Sequence, residues 1–237
     1  MTESTKPASG RPKAEQLPLA FAHAAASGRD DLLLAEPLTA AMSLIDAWPR
    51  WPSPVVILAG PAGSGKSHLA AIWQATSGAK TIVPQVGNDV ARMAETGPVL
   101  FEDADRVAFD ETALFHVINS VRENGTSLLM TTRQSPGAWP VALPDLRSRL
   151  KAATVVEIGE PDEALLAQVL LKLFADRQLY TDDKLVGYIV ARMERSLATA
   201  QTIVEAMDRP ALSRGTRISR SLASEVLGEL GSRREDD

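Results

Sequence analysis

Gly60-Pro61-Ala62-Gly63-Ser64-Gly65-Lys66-Ser67 matches the spacing G-x-x-x-x-G-K-[ST], in which successive backbone N–H groups converge on the oxygens of a polyphosphate. Glycine suits such a loop because the turn needs backbone conformations that a Cβ obstructs. Directly before it runs Val55-Val56-Ile57-Leu58-Ala59, apolar and mostly β-branched, as a strand buried on both faces requires. Directly after it, Lys66 to Thr76 reads as a helix, whose amino-terminal end adds partial positive charge at the same place. Strand, loop and helix in this order make ATP or ADP the expected ligand. Lys66 is expected to reach the β- and γ-phosphates and the Ser67 hydroxyl to ligate Mg2+. His68 is counted with the loop by position, although a histidine at a helix start reads as a packing residue before it reads as a catalyst.

The chain has 237 residues, 45% of them hydrophobic, which suffices for one large or two small domains with a core. With no cysteine it has neither disulfides nor thiolate metal sites, and three scattered histidines, His23, His68 and His116, argue against zinc. No apolar run approaches the roughly 18 residues that span a bilayer, and no signal-peptide pattern opens the chain, so no membrane association and a cytoplasmic location are expected. The formal charge of −5, from 25 basic and 30 acidic residues, opposes broad electrostatic binding to nucleic acid and leaves room for a local basic patch.

Residues 1–15 are rich in Pro, Ser, Thr, Lys and Gly and are expected to be disordered. The hexapeptide Gln16-Leu17-Pro18-Leu19-Ala20-Phe21 follows abruptly. Its Leu17, Leu19 and Phe21 suit insertion into a partner's groove, or packing onto the chain's own domain, and composition by itself favours the second. Leu38, Ala41, Met42 and Ile45 mark a helix over Pro37 to Trp48, stopped by the Pro-rich Trp48–Pro54 connector. Lys80 to Val83 is a short strand, and Asn88 to Glu95 a short helix ended by Gly97-Pro98.

Val99-Leu100-Phe101-Glu102-Asp103 is an apolar strand ending in two carboxylates. Beside a phosphate loop, such a pair divides two duties: Glu102 holds Mg2+ through water and Asp103 orients the attacking water. The alternative makes Asp103, Asp105 and Asp110 helix caps. A helix carrying Leu114, Val117, Ile118 and Val121 ends at Asn124-Gly125, and Ser127 to Thr132 is a further strand. That strand closes at Thr132, where a γ-phosphate would be sensed. Thr154 to Ile158 is the fifth. Five strands alternating with helices predict a parallel αβα sandwich over residues 22–159. From 160 to 231 only helical stripes follow, with Asp162, Asp182, Ser196 and Ser221 as N-caps, before a charged tail at 232–237.

A P-loop αβα sandwich with a five-stranded parallel sheet, followed by a small all-helical lid, resembles the AAA+ ATPases. Within them, Gly65-Lys66-Ser67-His68-Leu69, the pair Glu102-Asp103, and Leu143-Pro144-Asp145-Leu146-Arg147-Ser148-Arg149-Leu150 resemble the bacterial initiator DnaA and, more closely, the initiator-related regulators of the Hda type. The likeness covers roughly residues 16 to 230. It implies that Gln16, Leu17, Leu19 and Phe21 bind the DNA polymerase sliding clamp. It also implies that Arg149, with Arg147 as local competitor, is an arginine finger supplied in trans to ATP on DnaA. The chain ends within about 30 residues of the third lid helix, too few for the initiator's helix-turn-helix domain, so no sequence-specific DNA binding is expected. Self-association is a further assembly that the resemblance allows.

Two departures stand out: Glu102 where the family has Asp, and Ala198 where related lids carry a nucleotide-sensing arginine, with Arg195 one turn away as its replacement. They imply weak intrinsic hydrolysis and a nucleotide, ADP or ATP, held as a structural ligand. A helicase-loader or transposition-helper ATPase that binds single-stranded DNA is the alternative reading.

Overall fold

The computed structural model describes residues 36–87, 89–214 and 218–235. The hexapeptide 16–21 lies outside the described residues.

Five strands, β1 (Val55–Ala59), β2 (Lys80–Thr81), β3 (Val99–Phe101), β4 (Leu128–Thr132) and β5 (Thr154–Glu157), form one sheet in the order β2-β3-β4-β1-β5. Every pairing is parallel. Val55 lies opposite Leu128 and Ala59 opposite Thr132, while Val56 lies opposite Thr154. Parallel neighbours need crossover connections, and α2 (Lys66–Ser77), α3 (Val90–Thr96), α4 (Glu111–Asn124) and α5 (Pro144–Lys151) provide them, with α1 (Glu36–Asp46) preceding the sheet.

The pleat of β1 sends alternate side chains into two layers. Val55 and Ile57 join Phe101, Leu114, Val117, Ile118 and Met130 beneath α3, α4 and α5. Val56 and Leu58 join Leu38, Met42, Leu69 and Trp73 beneath α1 and α2. Trp73 is fully buried and stacks on Trp51, ring centroids 5.2 Å apart. Each such large apolar side chain taken from water contributes roughly 1.5–3 kcal/mol. The sheet is therefore covered on both faces, and its loop-bearing edge is left as the place for chemistry.

Helix ends follow local rules. Asp110 accepts from the Ala113 N–H at 2.7 Å, and Gly78 and Gly125 close α2 and α4 in the left-handed region. Beyond β5, α6 (Glu163–Asp176), α7 (Asp183–Val190), α8 (Leu197–Arg214) and α9 (Arg220–Glu235) share a third core of Leu166, Leu170, Phe174, Ile189, Ile203, Val204 and Met207. Asp162, Asp182 and Ser196 accept from the amides of Leu165, Leu185 and Thr199 at 2.7, 2.8 and 3.2 Å.

Four sequence expectations shift. The cap of α9 is Ser219, whose Oγ accepts from Leu222 N at 3.3 Å; Ser221 sits inside the first turn, because the helix starts before its apolar stripe does. Strand β2 is two residues long rather than four, since after one more bond, Ile82 N to Leu100 O at 2.8 Å, the chain reaches Pro84. Helix α3 begins at Val90, not Asn88. Strand β3 stops at Phe101, because Asp103 turns the chain at φ 48°.

Candidate nucleotide site

Because the strands run parallel, the loops after β1, β3 and β4 leave the same edge of the sheet, where ligands of such sheets bind. The first loop is laced to both neighbours: Gly60 N donates to Thr132 O at 3.1 Å, and Ile158 N donates to Ala59 O at 2.7 Å. A Cβ on Gly60 would lie 2.3 Å from the Ile158 carbonyl oxygen, so this contact requires glycine. Gly63 and Gly65 hold φ 71° and 97°, the left-handed region that other residues avoid.

Lys66 is 6% exposed, and its Nζ donates to Gly60 O at 2.7 Å, Pro61 O at 2.6 Å and Ser64 Oγ at 3.3 Å. Among the described residues, no acceptor in the chain meets the amide N–H of Gly63, Gly65, Lys66 or Ser67, and α2 has no side-chain cap. Unpaired donors and a helix start surround one cation, so the residues present fit a polyphosphate. Burial pushes the Lys66 ammonium below the ordinary lysine range; Asp103 opposes this, Arg133 adds to it, and Asp105 opposes it again. His68, next in the chain, is half-buried.

Among the carboxylates, Asp103 acts first on Lys66. It is exposed, and its N–H donates to Thr131 Oγ1 at 2.9 Å, while its carbonyl accepts from Arg106 and Val107. Glu102 sits half-buried at the end of β3. Asp105 is no helix cap: its carboxylate accepts from Arg133 N at 3.0 Å and Gln134 N at 3.0 Å, binding the loop after β3 to the loop after β4. Asp105 and Arg133 thus belong to the site although the sequence offered no site signal for either. Thr132 is fully buried, and its hydroxyl donates to Gln134 O at 2.7 Å, so its proton is committed to that turn. No cluster of three metal-ligating side chains occurs among the described residues. Mg2+ beside phosphates needs only one or two carboxylates, and Ser67 and Glu102 are the residues that would hold it.

The start of α8 is seated on the phosphate loop. Leu197 N donates to Gly63 O at 2.8 Å. A Cβ on Gly63 would lie 1.9 Å from Ser196 Oγ, and one on Gly65 would lie 3.3 Å from both Leu197 and Leu38. Sequence gave Ser196 a capping role only; its closeness to Gly63 arises from tertiary packing. Arg195 is paired within the lid: its Nη2 is 2.9 Å from Glu163 Oε1, and both side chains are more than half exposed. Ala198 is exposed beside it.

No protein-family model matches the chain. An uncharacterized protein of Haemophilus influenzae is 25% identical over 118 residues, 49% of this chain and 51% of that protein; the match thus spans about half the length of that relative. Among solved structures, domain III of the Thermotoga maritima replication initiation protein DnaA superposes with TM-score 0.72 at 14% identity, over 86% of this chain and 96% of that one. The Thermotoga maritima RuvB Holliday junction branch migration motor gives 0.65 at 19% identity, over 86% and 72%. AMPPCP-bound DnaA from Aquifex aeolicus gives 0.65 at 15% identity, over 87% and 69%. The chain thus shares the fold of DnaA domain III and of the RuvB motor, a five-stranded parallel α/β P-loop fold.

In this fold Arg149 occupies the last turn of α5, half-buried, with no hydrogen bond or ion pair to its side chain among the described residues. Arg147, two residues earlier, differs: its guanidinium donates to the Val141 carbonyl. Among the described residues no helix is long and apolar enough to cross a membrane.

Proposed function

We propose that this chain is a DnaA-related AAA+ regulator of replication initiation. It holds ADP or ATP with Mg2+ on the loop 60–67, docks on the sliding clamp through Gln16, Leu17, Leu19 and Phe21, and lends Arg149 to ATP bound by DnaA. The observation that carries the reading is the contrast on α5, where Arg147 is tied to Val141 and Arg149 has no side-chain partner among the described residues. A guanidinium in that condition suits a neighbour's site, where it offsets the negative charge that builds on the transferred phosphoryl group.

The chain's own site supports holding a nucleotide over hydrolysing it. Bound nucleotide with Mg2+ would supply a charged ligand to Lys66 and to the free amides; the protein's part is to bind and orient it. The Thr132 proton is committed to Gln134, Glu102 stands where the resemblance expects Asp, and Arg195 is engaged by Glu163. Each of these withholds a group from the γ-phosphate end.

The test is ATP hydrolysis by purified DnaA with this protein and DNA-loaded clamp. Arginine fingers supplied in trans raise turnover by about 10^3–10^5, so Arg149→Ala is expected to abolish stimulation while clamp binding persists, and Arg147→Ala to leave most of it. Full stimulation by Arg149→Ala would overturn the assignment.

A further inference from the structure

The lid carries a cationic surface that the proposed function does not use. Tyr188 on α7 lies beneath two guanidiniums, Arg192 Cζ 4.0 Å and Arg220 Cζ 4.3 Å from its ring centroid. Arg192 follows α7 and Arg220 opens α9, so one phenol ring organises cations from two helices. Interaction with the Ser224 side chain, and the charges and hydrogen bonding of the two arginines, hold the Tyr188 phenol below its ordinary pKa, and Arg192 Nη1 also donates to the Tyr188 carbonyl at 3.3 Å. Both arginines are exposed. Among the described residues neither meets a carboxylate, whereas Arg92, Arg177 and Arg195 are paired with Asp89, Glu205 and Glu163.

A guanidinium stacked on a ring uses its face and keeps edge N–H groups available in the planar fork that fits phosphate oxygens two at a time. Through the shared ring the two Cζ atoms lie within about 8 Å of each other. A nucleic-acid strand carries a phosphate every ~3.4 Å of its axis, so both cations can engage one strand. In sequence, the stretch between Asp208 and Glu225 holds four arginines, Arg209, Arg214, Arg217 and Arg220, and no Asp or Glu. Beyond Lys184 every basic residue is arginine, the side chain suited to bidentate phosphate contact rather than a general solubilising charge.

In a chain of net charge −5, two exposed guanidiniums on one ring with no carboxylate partner among the described residues are a local inversion of sign. We propose that the Arg192–Tyr188–Arg220 face of the lid binds the phosphodiester backbone of a nucleic acid without reading its sequence. It would hold the protein close to DNA independently of the clamp peptide and of Arg149.

Fluorescence anisotropy of the full chain with a labelled oligo-dT and with a labelled duplex, titrated with salt, tests this. Binding at low salt is expected, with affinity falling linearly in log[salt]. Arg192→Ala with Arg220→Ala should weaken it at least about tenfold and reduce the salt slope by roughly 1.4 on the single strand or 1.8 on the duplex, for two lost phosphate contacts. Tyr188→Leu should weaken it with both cations retained, and Tyr188→Phe, which keeps the ring, should not. Arg92→Ala, which removes an exposed cation already paired on α3, should leave it unchanged; thermal unfolding checks that each variant is folded. Absence of salt-sensitive binding, or a double variant that binds as the parent does, would overturn the proposal. So would displacement of the oligonucleotide by polyglutamate at equal charge concentration, which would reassign the face to an acidic protein.

Discussion

Replacing Gly63 by alanine tests whether the lid reads the phosphate loop by direct contact. The new Cβ would stand 1.9 Å from Ser196 Oγ, 2.7 Å from Ser196 Cβ and 3.2 Å from Ser196 Cα, against a comfortable carbon–carbon separation of about 3.5–4.0 Å. Rotating the hydroxyl relieves only the first clash, so α8 must retreat by on the order of 1 Å to restore van der Waals contact. The bond from Leu197 N to Gly63 O, now 2.8 Å, would then exceed hydrogen-bonding distance. Losing it leaves a donor or acceptor unmet at about 1–3 kcal/mol, and holding alanine at φ 71° adds roughly 1–2 kcal/mol. Against total stabilities of about 5–15 kcal/mol, the sum is large enough to lower the unfolding midpoint and to release the lid. Binding of a fluorescent ADP analogue, with hydrogen exchange at Leu197, is the assay. Weaker binding and faster exchange are expected, and Ser196→Gly added to Gly63→Ala should recover part of both by making room. Parental affinity and protection in Gly63→Ala would refute the contact as a link between lid and loop.

Lys66 gives a pH signature. Burial holds its pKa below the ordinary lysine value, so between the two the unfolded chain binds more protons than the folded one, and stability of the nucleotide-free protein rises with pH through that window. A bound polyphosphate should raise the pKa again; calorimetry in buffers of different ionisation enthalpy should detect proton uptake on binding in alkaline solution, and affinity should fall as pH climbs. Asp105→Ala removes the acceptor for the amides of Arg133 and Gln134 and should lower stability by about 1–3 kcal/mol in denaturant titration, with Asp105→Asn milder. Ser219→Ala should cost about 0.5–2 kcal/mol through its lost cap, while Ser221→Ala should stay within about 0.5 kcal/mol; equal effects would contradict the observed start of α9.

The layout of the sheet was legible because each strand announces itself locally. The apolar β1 run, the apolar start of β3 and the strand ending at Thr132 need no tertiary information, and Gly125, Asp162 and Asp182 mark helix ends by their own chemistry. Asp105, Arg133 and Ser196 were not legible as neighbours of the phosphate loop. They reach it from the turn after β3, the turn after β4 and the lid, and only the folded chain brings those segments together. Ser221 misled because an apolar stripe reports where a helix is buried, whereas the helix begins two residues earlier, at Arg220 with Ser219 as its cap, on an exposed turn. Lys80 to Val83 shortened for a related reason: an edge strand is limited by its single neighbour β3, and its sequence does not record how long that neighbour runs.

The central claim is that Arg149 acts on another molecule's ATP. Single-turnover hydrolysis of ATP pre-bound to DnaA, with this chain and DNA-loaded clamp, measures it most directly. Acceleration by the parent chain and none by Arg149→Ala are expected. None is expected either from a variant with Gln16, Leu17 and Phe21 changed to alanine, with nucleotide binding by both variants intact. Acceleration that survives Arg149→Ala, or hydrolysis that this chain carries out alone at a comparable rate, would contradict it.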